Sequence, residues 1–217
     1  MTTVLIADDQ PLQRLGFRML LDGTPGMDVV GEAENGLSAV RKVEQLHPDV
    51  VLMDIRMPGL DGIEATRRIT ATGGRTRVLI LTTFDLDEYV YAGLRAGASG
   101  FLLKDARPEE LLAGIRAVAT GDAVVAPSLT RRLMDAYTRQ TVPEPAQDTR
   151  LATLSERERQ VLVAIGHGWN NTEIADEFSL TESTVKKHVG RVLTKIGVRD
   201  RVQAVIVAYD CGLVTPK

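Results

Sequence analysis

A doubly wound parallel α/β domain followed by a smaller all-helical domain is the fold class that this 217-residue sequence predicts. Three observations predict it. Short apolar runs alternate with segments of helical spacing from Thr3 to Val118, the pattern of a parallel sheet with helices on both faces. A proline-bearing tract at 140–148 has almost nothing to bury and favours extended structure. Beyond that tract helical spacing continues, and no stretch reads as a strand.

In order, Thr3 to Asp8 is an apolar strand, and Pro11 opens a helix carrying Leu12, Leu15, Met19 and Leu20 at helical spacing. Asp28 to Ala33 is a second strand. Glu34-Asn35-Gly36 then turns into a helix bearing Leu37, Val40, Val43 and Leu46. Asp49 to Asp54, rich in Val and Leu and followed by Pro58-Gly59, is a buried strand. A helix from about Gly62 turns Ile63, Thr66 and Ile69 inward. Arg77 to Thr82 is the fourth strand, Asp85 to Arg95 a helix, and Gly100 to Leu103 a short fifth strand. Pro108 sits in the first turn of a helix with Leu111, Leu112, Ile115 and Val118.

Ala126 to Arg139 has the spacing of a short helix (Leu129, Leu133, Tyr137), and the linker is placed around the proline tract. The expected limits are 1–121 for the first domain, 122–150 for the linker and 151–217 for the second domain. Ser155 and Glu158 form a capping box opening a helix that buries Val161, Leu162 and Ile165. Gly166 to Asn170 ends it, and a short helix runs through Ile174, Ala175 and Phe178. Thr181 caps a longer helix through Val185, Val189, Val192, Leu193 and Ile196, closed by Gly197. Asp200 caps a last helix with Val202, Val205, Ile206, Ala208 and Tyr209. The second and third of these four helices, joined by a tight turn, suit a helix-turn-helix.

Composition narrows the function. The 44% hydrophobic and 25% charged content is that of a globular chain with a proper core. No apolar run approaches the roughly 18 residues of a membrane span, and the amino terminus enters a strand without a signal-peptide pattern. Cys211 is the sole cysteine, which rules out internal disulfides and cysteine metal clusters. A cytoplasmic protein with no membrane partner is expected. The net charge of −3 divides into +1 from Leu151 onward (nine basic, eight acidic) and −4 before it (17 and 21). Neither half is basic enough to imply nucleic acid, so any such signal is local.

The first local signal is acidic. Asp8 and Asp9 close the first strand, Asp54 the third, Thr82 the fourth and Lys104 the fifth. In a parallel sheet these ends share one edge, and a flavodoxin-like order makes strands one and three neighbours. Three facing carboxylates require a cation among them, and oxygen ligands suit Mg²⁺. Lys104 supplies a compact charge for a phosphate and Thr82 a hydroxyl donor, so the set fits an aspartate nucleophile that receives a phosphoryl group. Singly, Lys104, Thr82 and Phe101 would be a surface lysine, a strand threonine and a core aromatic. Jointly, in this order at strand ends, chance explains them poorly.

At Ile6-Ala7-Asp8-Asp9, Met53-Asp54-Ile55-Arg56-Met57-Pro58-Gly59-Leu60-Asp61-Gly62, Leu81-Thr82-Thr83-Phe84 and Ala96 to Asp105, the chain resembles a two-component response regulator of the NarL/LuxR type. The resemblance covers essentially its whole length. It implies that 1–121 is a receiver domain in which Asp54 accepts phosphate from a sensor histidine kinase. It implies Mg²⁺ held by Asp9, Asp54 and the Arg56 carbonyl, with Asp8 acting through water. Thr82 and Phe101 take the switch positions, and Lys104 pairs with the phosphoryl group. Many receivers have proline after this lysine; Asp105 stands here, so a cis bond is not expected. A phosphatase of the haloacid-dehalogenase sort carries Asp-x-Asp at its first strand end, which Asp8-Asp9-Gln10-Pro11 does not match. A receiver that has lost phosphate chemistry is argued against by the intact Asp8, Asp9, Asp54, Thr82 and Lys104 set.

The second signal is basic. Glu182 to Ile196 sets Lys186, Lys187, Arg191 and Lys195 against Glu182 alone, a local +3 with the valines facing inward. As the second helix of a helix-turn-helix it is placed to enter a major groove of double-stranded DNA. The resemblance extends to Ser155 to Glu158, Asn171 to Ala175, Ser183 to Val189 and Arg199 to Ala204. It implies that Lys186 and Lys187 face base edges, while Thr181, Ser183, Thr184, His188, Arg191 and Lys195 contact phosphates. Trp169 and Asn170 depart from the usual small polar residues, with Trp169 expected to pack against the helix end. Gly190 removes a side chain where relatives often carry a long one. His47 and His167 read as surface residues and Cys211 as a core or interface residue. The apolar surplus of the last helix is expected to form part of a homodimer contact on DNA, with the phosphorylated receiver adding the rest. A regulator rather than an enzyme is expected; the alternative is a phosphotransfer module or phosphatase-like enzyme whose helical domain binds protein.

Overall fold

Strands apolar on both faces force the first part of the chain into a covered parallel sheet. Val4, Leu5, Ile6 and Ala7 are all buried in β1 (Thr2–Ala7), as is every residue of β3 (Val50–Asp54). With β2 (Met27–Ala33), β4 (Arg77–Thr82), β5 (Gly100–Leu103) and β6 (Val124–Val125) they form one sheet in the order β2-β1-β3-β4-β5-β6, parallel throughout. Between them run α1 (Pro11–Asp22), α2 (Gly36–Leu46), α3 (Gly62–Ala71), α4 (Asp87–Arg95) and α5 (Pro108–Thr120). On one face Leu21 of α1 and Leu111, Ile115 and Val118 of α5 pack on Val4, Ile6, Val50, Leu52, Leu79 and Leu81. Each such buried side chain contributes about 1.5–3 kcal/mol. The strand order reverses between β1 and β3, so their carboxyl ends border the crevice where open α/β sheets place their sites.

This computed structural model describes residues 1–83, 87–121, 124–125 and 149–214. The chain divides into two units, Met1–Leu129 and Thr130–Lys217. The short helix expected at 126–139, the proline tract at 140–148, Phe84 and the first residues of the helix expected from Asp85 lie outside the described residues.

Two features of the first unit differ from expectation. The spacing of Leu12, Leu15 and Met19 reads as a buried stripe, yet they are 80%, 51% and 69% exposed. Leu21, with Phe17 and Leu20 beside it, takes the sheet-facing side instead. In α2 the buried side chains are Ala39 and Val43, beside the buried Gly36, while Leu37 and Leu46 stay exposed. The second difference is β6, which adds a sixth strand within the stretch expected as linker, Gly100 pairing with Val124 and Phe101 with Val125.

The second unit is helical. A 3₁₀ turn (Thr149–Thr153) precedes α6 (Glu156–Gly166), α7 (Asn171–Phe178), α8 (Glu182–Ile196) and α9 (Arg201–Asp210). Each helix starts on a side-chain cap, from Ser155, Asn170, Thr181 and Asp200 in turn. The α7–α8 turn closes with Ser179 in the left-handed region (φ 53°) and the Leu180 N–H donating to the Ala175 carbonyl at 2.8 Å. The last helix departs from expectation. Val202, Ile206 and Tyr209 are buried, with Val207 and Ala208, as α9 packs on α6. The chain then folds back and buries Val214 against Gly166, where a Cβ would meet it at 2.6 Å. Of the four residues expected to form a two-fold contact, three are buried and Val205 stays partly exposed.

Candidate functional site

Sheet register assembles the acidic edge. Ala7 pairs with Met53, which brings Asp8 beside Asp54. Thr82 pairs with Leu103, and the Lys104 N–H donates to the Thr82 carbonyl at 2.8 Å. One carboxylate oxygen from each of Asp8, Asp9 and Asp54 lies within 4.8 Å of the others. Asp8 and Asp54 are buried and Asp9 is exposed. Lys104, its side chain only 4% exposed, places Nζ 2.6 Å from Asp8 Oδ2 and 2.9 Å from Asp54 Oδ2. Thr82 is buried at the end of β4. Phe101 is fully buried on β5, below Gly93 of α4, whose Cβ would lie 4.0 Å from the ring. Arg56 lies exposed two residues past Asp54, its guanidinium 5.7 Å from the centre of the Tyr89 ring on α4. Among the described residues no peptide bond is cis, that after Lys104 included.

Three ionised carboxylates facing one ammonium leave two negative charges unbalanced. Burial pushes the Asp54 carboxyl above its usual range, and the hydrogen bond from Lys104 offsets only part of that. Burial pulls the Lys104 ammonium down, but Asp8 and Asp54 outweigh it and hold it above its ordinary value. Lys104 thus has two anions beside it, while Asp8 and Asp54 share one cation. A surplus of anionic oxygen at a partly buried edge fits a hard divalent cation, and an all-oxygen donor set suits Mg²⁺.

Two glycines fix the loop beyond Asp54. The Gly62 N–H donates to the Ile55 carbonyl at 2.8 Å, and the Gly36 N–H to the Leu60 carbonyl at 3.1 Å. A Cβ on Gly62 would sit 1.9 Å from the Asp54 carbonyl oxygen, and one on Gly36 2.3 Å from that of Leu60. Asp61 caps α3 by accepting from the Glu64 N–H at 2.8 Å. Asp61-Gly62, which reads as a turn in the sequence, is thus where α3 meets the backbone carrying Asp54. Sequence reasoning missed Arg14, whose Nη1 donates to the Asp8 carbonyl at 2.8 Å, and Glu32, which pairs with Arg14 and Arg18. The Arg18 and Arg14 guanidiniums hold the Glu32 carboxyl below its usual range. A signal was present, because Arg14 and Arg18 stand four residues apart on one helix face.

In the helical unit, α8 presents Lys186, Lys187 and Arg191 to solvent while Val185, Val192 and Ile196 are buried. Thr181 Oγ1 accepts from the Thr184 N–H at 3.3 Å and lies 3.0 Å from Ser183 Oγ and 2.9 Å from Thr184 Oγ1. Thr172 Oγ1 donates to Glu182 at 2.8 Å, joining the starts of α7 and α8. Two further residues expected at DNA phosphates lie on the same helix. His188 has its Nδ1 buried without a hydrogen-bond partner, and Lys195 Nζ lies 2.6 Å from Glu158 Oε2.

Residues 4–116 match the family model of the response regulator receiver domain, and residues 152–208 that of the bacterial regulatory proteins of the luxR family. The chain belongs to the response-regulator family. It joins a receiver to a luxR-type DNA-binding domain, and it is homologous to transcription regulators. It is 42% identical over 97% of its length to the uncharacterized transcriptional regulatory protein YxjL of Bacillus subtilis (strain 168), covering 96% of that protein. Among solved structures it resembles the response regulator ChrA of a heme-sensing two-component system (34% identity, TM-score 0.54, 98% of each chain covered). It also resembles RcsB in a structure of two RcsB dimers bound to two parallel DNAs (25% identity, TM-score 0.56, covering 95% of this chain and 98% of that one).

In this response regulator the Lys195–Glu158 pair ties the end of α8 to the start of α6. Glu158 also accepts from the Ser155 N–H at 2.8 Å. Lys195 and that N–H lower the Glu158 pKa from 4.5 to about 2. The folded value lies below the unfolded one, so the pair stabilises above pH about 4.5 and its contribution fades as pH falls toward 2. Glu158→Gln is expected to destabilise the DNA-binding domain by about 1–2 kcal/mol at neutral pH, allowing for water around Lys195. The gap from wild type should shrink below pH 4.5 in unfolding followed by circular dichroism. A gap independent of pH would remove the ion pair as its cause.

Proposed function

We propose that this chain is a phosphorylation-controlled transcription regulator, in which Asp54 accepts a phosphoryl group from a sensor histidine kinase and α8 reads duplex DNA. The observation that carries this is Lys104 shared between Asp8 and Asp54 at the buried strand ends. An Asp54 oxygen attacks the phosphorus of a phosphohistidine; the O–P bond forms as the N–P bond breaks, and the imidazole keeps the electron pair. Lys104 then exchanges its contact with Asp54 for a phosphoryl oxygen. Asp9, Asp54 and the Arg56 carbonyl would hold Mg²⁺, with Asp8 acting through water; the bound ion supplies positive charge facing the transferring oxygens. Thr82 donates its hydroxyl to the new phosphoryl group, and the shift at the end of β4 reaches Phe101 beneath α4. Leu12, Leu15 and Met19, exposed just beyond the acidic loop, supply an apolar strip on which the kinase can dock.

Residues 1–121 form the phosphoryl-accepting part, 151–217 the DNA-binding part, and 122–150 join them. On DNA, Lys186 and Lys187 face bases, while Thr181, Ser183, Thr184, His188, Arg191 and Lys195 contact phosphates, Lys195 from a position where it also pairs with Glu158. A DNA partner and a kinase donor place the protein in the cytoplasm. Two copies bind together, since two recognition helices multiply the few contacts of one. The test is DNA titration and light scattering with beryllofluoride, an acyl-phosphate mimic, and Mg²⁺. Wild type should dimerise and bind a selected duplex at least about tenfold more tightly, a gain of about 1.4 kcal/mol. Asp54→Ala should do neither. Wild type that stays monomeric with unchanged affinity would sink the control mechanism.

Base reading has its own expected result. Lys186→Ala and Lys187→Ala should each lose about 1–3 kcal/mol at the selected site while leaving weak binding to unrelated duplexes nearly unchanged. An equal loss on every sequence would reassign them to the phosphate backbone.

A further inference from the structure

We infer that Gly190 is a specificity-determining position of this regulator: the bare backbone it leaves in the middle of α8 seats the 5-methyl group of a thymine. The inference rests on the DNA-reading role above and deepens it. Gly190 is exposed in the interior of α8, a helix of 15 residues. Glycine weakens a helix interior relative to alanine, through the backbone freedom it loses on folding. No packing demand at this position offsets that loss. A Cβ built on Gly190 meets nothing within 4 Å, whereas Gly36, Gly62 and Gly166 each lie against an atom that a methyl would strike. Its backbone is ordinary helix, so no left-handed φ requires glycine either. The folded domain has no use for this glycine, but the surface it lies on has one. Position 190 falls one turn beyond Lys186 and Lys187 and one turn before Thr194, all exposed. It is the low point of the face that carries the base-reading lysines, where the helix backbone can come closest to a base edge.

Hydrogen bonding decides what this low point can recognise. The Gly190 N–H is taken within the helix, by the carbonyl four residues back. Its carbonyl accepts the helical N–H of Thr194 and also the Thr194 hydroxyl, with Oγ1 2.9 Å away. Neither polar atom is left for a base, so the notch offers room and apolar surface alone. In the major groove the feature that suits such a surface is the thymine methyl. Guanine, adenine and cytosine present donors and acceptors there, which would lose water against the notch without gaining a partner.

The experiment is a two-by-two cycle on the full chain. Wild type and Gly190→Ala are each titrated with the selected duplex and with duplexes in which one thymine at a time becomes deoxyuridine, which lacks only the methyl. For wild type, one thymine of the half-site should stand out, its replacement weakening binding about fourfold, the worth of one buried methyl. Gly190→Ala should bind the thymine duplex at least about tenfold more weakly. At that one position its preference should reverse, the deoxyuridine duplex binding more tightly because the added methyl takes the space the base has given up. The urea midpoint of the helical domain should rise in the same variant, so that weaker binding cannot come from a damaged fold. A lowered midpoint would reveal a packing role and overturn the inference. So would a wild type indifferent to every thymine methyl, a variant that keeps the wild-type preference, or equal weakening on all duplexes. Wild type that binds the selected duplex no better than unrelated DNA sinks the DNA-reading role itself, whereas a preference blind to the methyl sinks only the assignment of Gly190.

Discussion

Asp54→Asn is expected to incorporate no phosphoryl group from acetyl phosphate and Mg²⁺, a loss of at least about a hundredfold. An amide is no nucleophile, and removing the charge takes away one of the three carboxylates while leaving the Lys104–Asp8 pair at 2.6 Å. The substitution is close to isosteric at a buried position, so the fold should survive it, and circular dichroism alongside intact-mass spectrometry distinguishes lost chemistry from lost structure. Labelling equal to wild type would move the acceptor to another residue. Asp8 is buried and shares the same lysine, which makes it the control; Asp8→Asn should slow labelling without abolishing it, because it removes a neighbour of the acceptor and not the acceptor.

Gly62→Ala is expected to cost the receiver about 3 kcal/mol or more, at the high end for a single added methyl. The new Cβ would stand 1.9 Å from the Asp54 carbonyl oxygen, a backbone atom that no rotamer change can move aside. Either α3 retreats, losing the Gly62–Ile55 hydrogen bond, or the end of β3 shifts and takes Asp54 with it. Urea unfolding reads the first effect and acetyl-phosphate labelling the second. Gly190→Ala, which meets open space on α8, is the matched comparison and should leave the receiver's stability unchanged. Equal stability of Gly62→Ala and wild type would show that the loop yields easily.

The acidic site was legible in the sequence because topology alone assembles it. Once strands one, three, four and five are parallel, Asp8, Asp54, Thr82 and Lys104 share an edge whatever lies between them. Helix orientation was less legible. The first helix carries two apolar stripes, and spacing cannot say whether Leu12, Leu15 and Met19 or Phe17, Leu20 and Leu21 will meet the sheet. The Lys195–Glu158 pair was not legible for a different reason. Its position among outward basic residues has a period, whereas its partner Glu158, 37 residues earlier, has none. The two residues of β6 are too few to leave a pattern. Trp169 was rightly placed against a helix end, but a sequence does not reveal that the packing stops halfway.

The self-contained packing of α9 bears on the operators this regulator can accept. With Val202, Ile206 and Tyr209 buried within the domain, Val205 is the member of that set left partly exposed for a contact between two copies. On the reading proposed above, half-site spacing is expected to depend on the receiver pairing and on the length of chain between the two domains as well as on α9. Shortening the chain between the two domains is then expected to shift the half-site separation bound best, without touching Lys186 or Lys187.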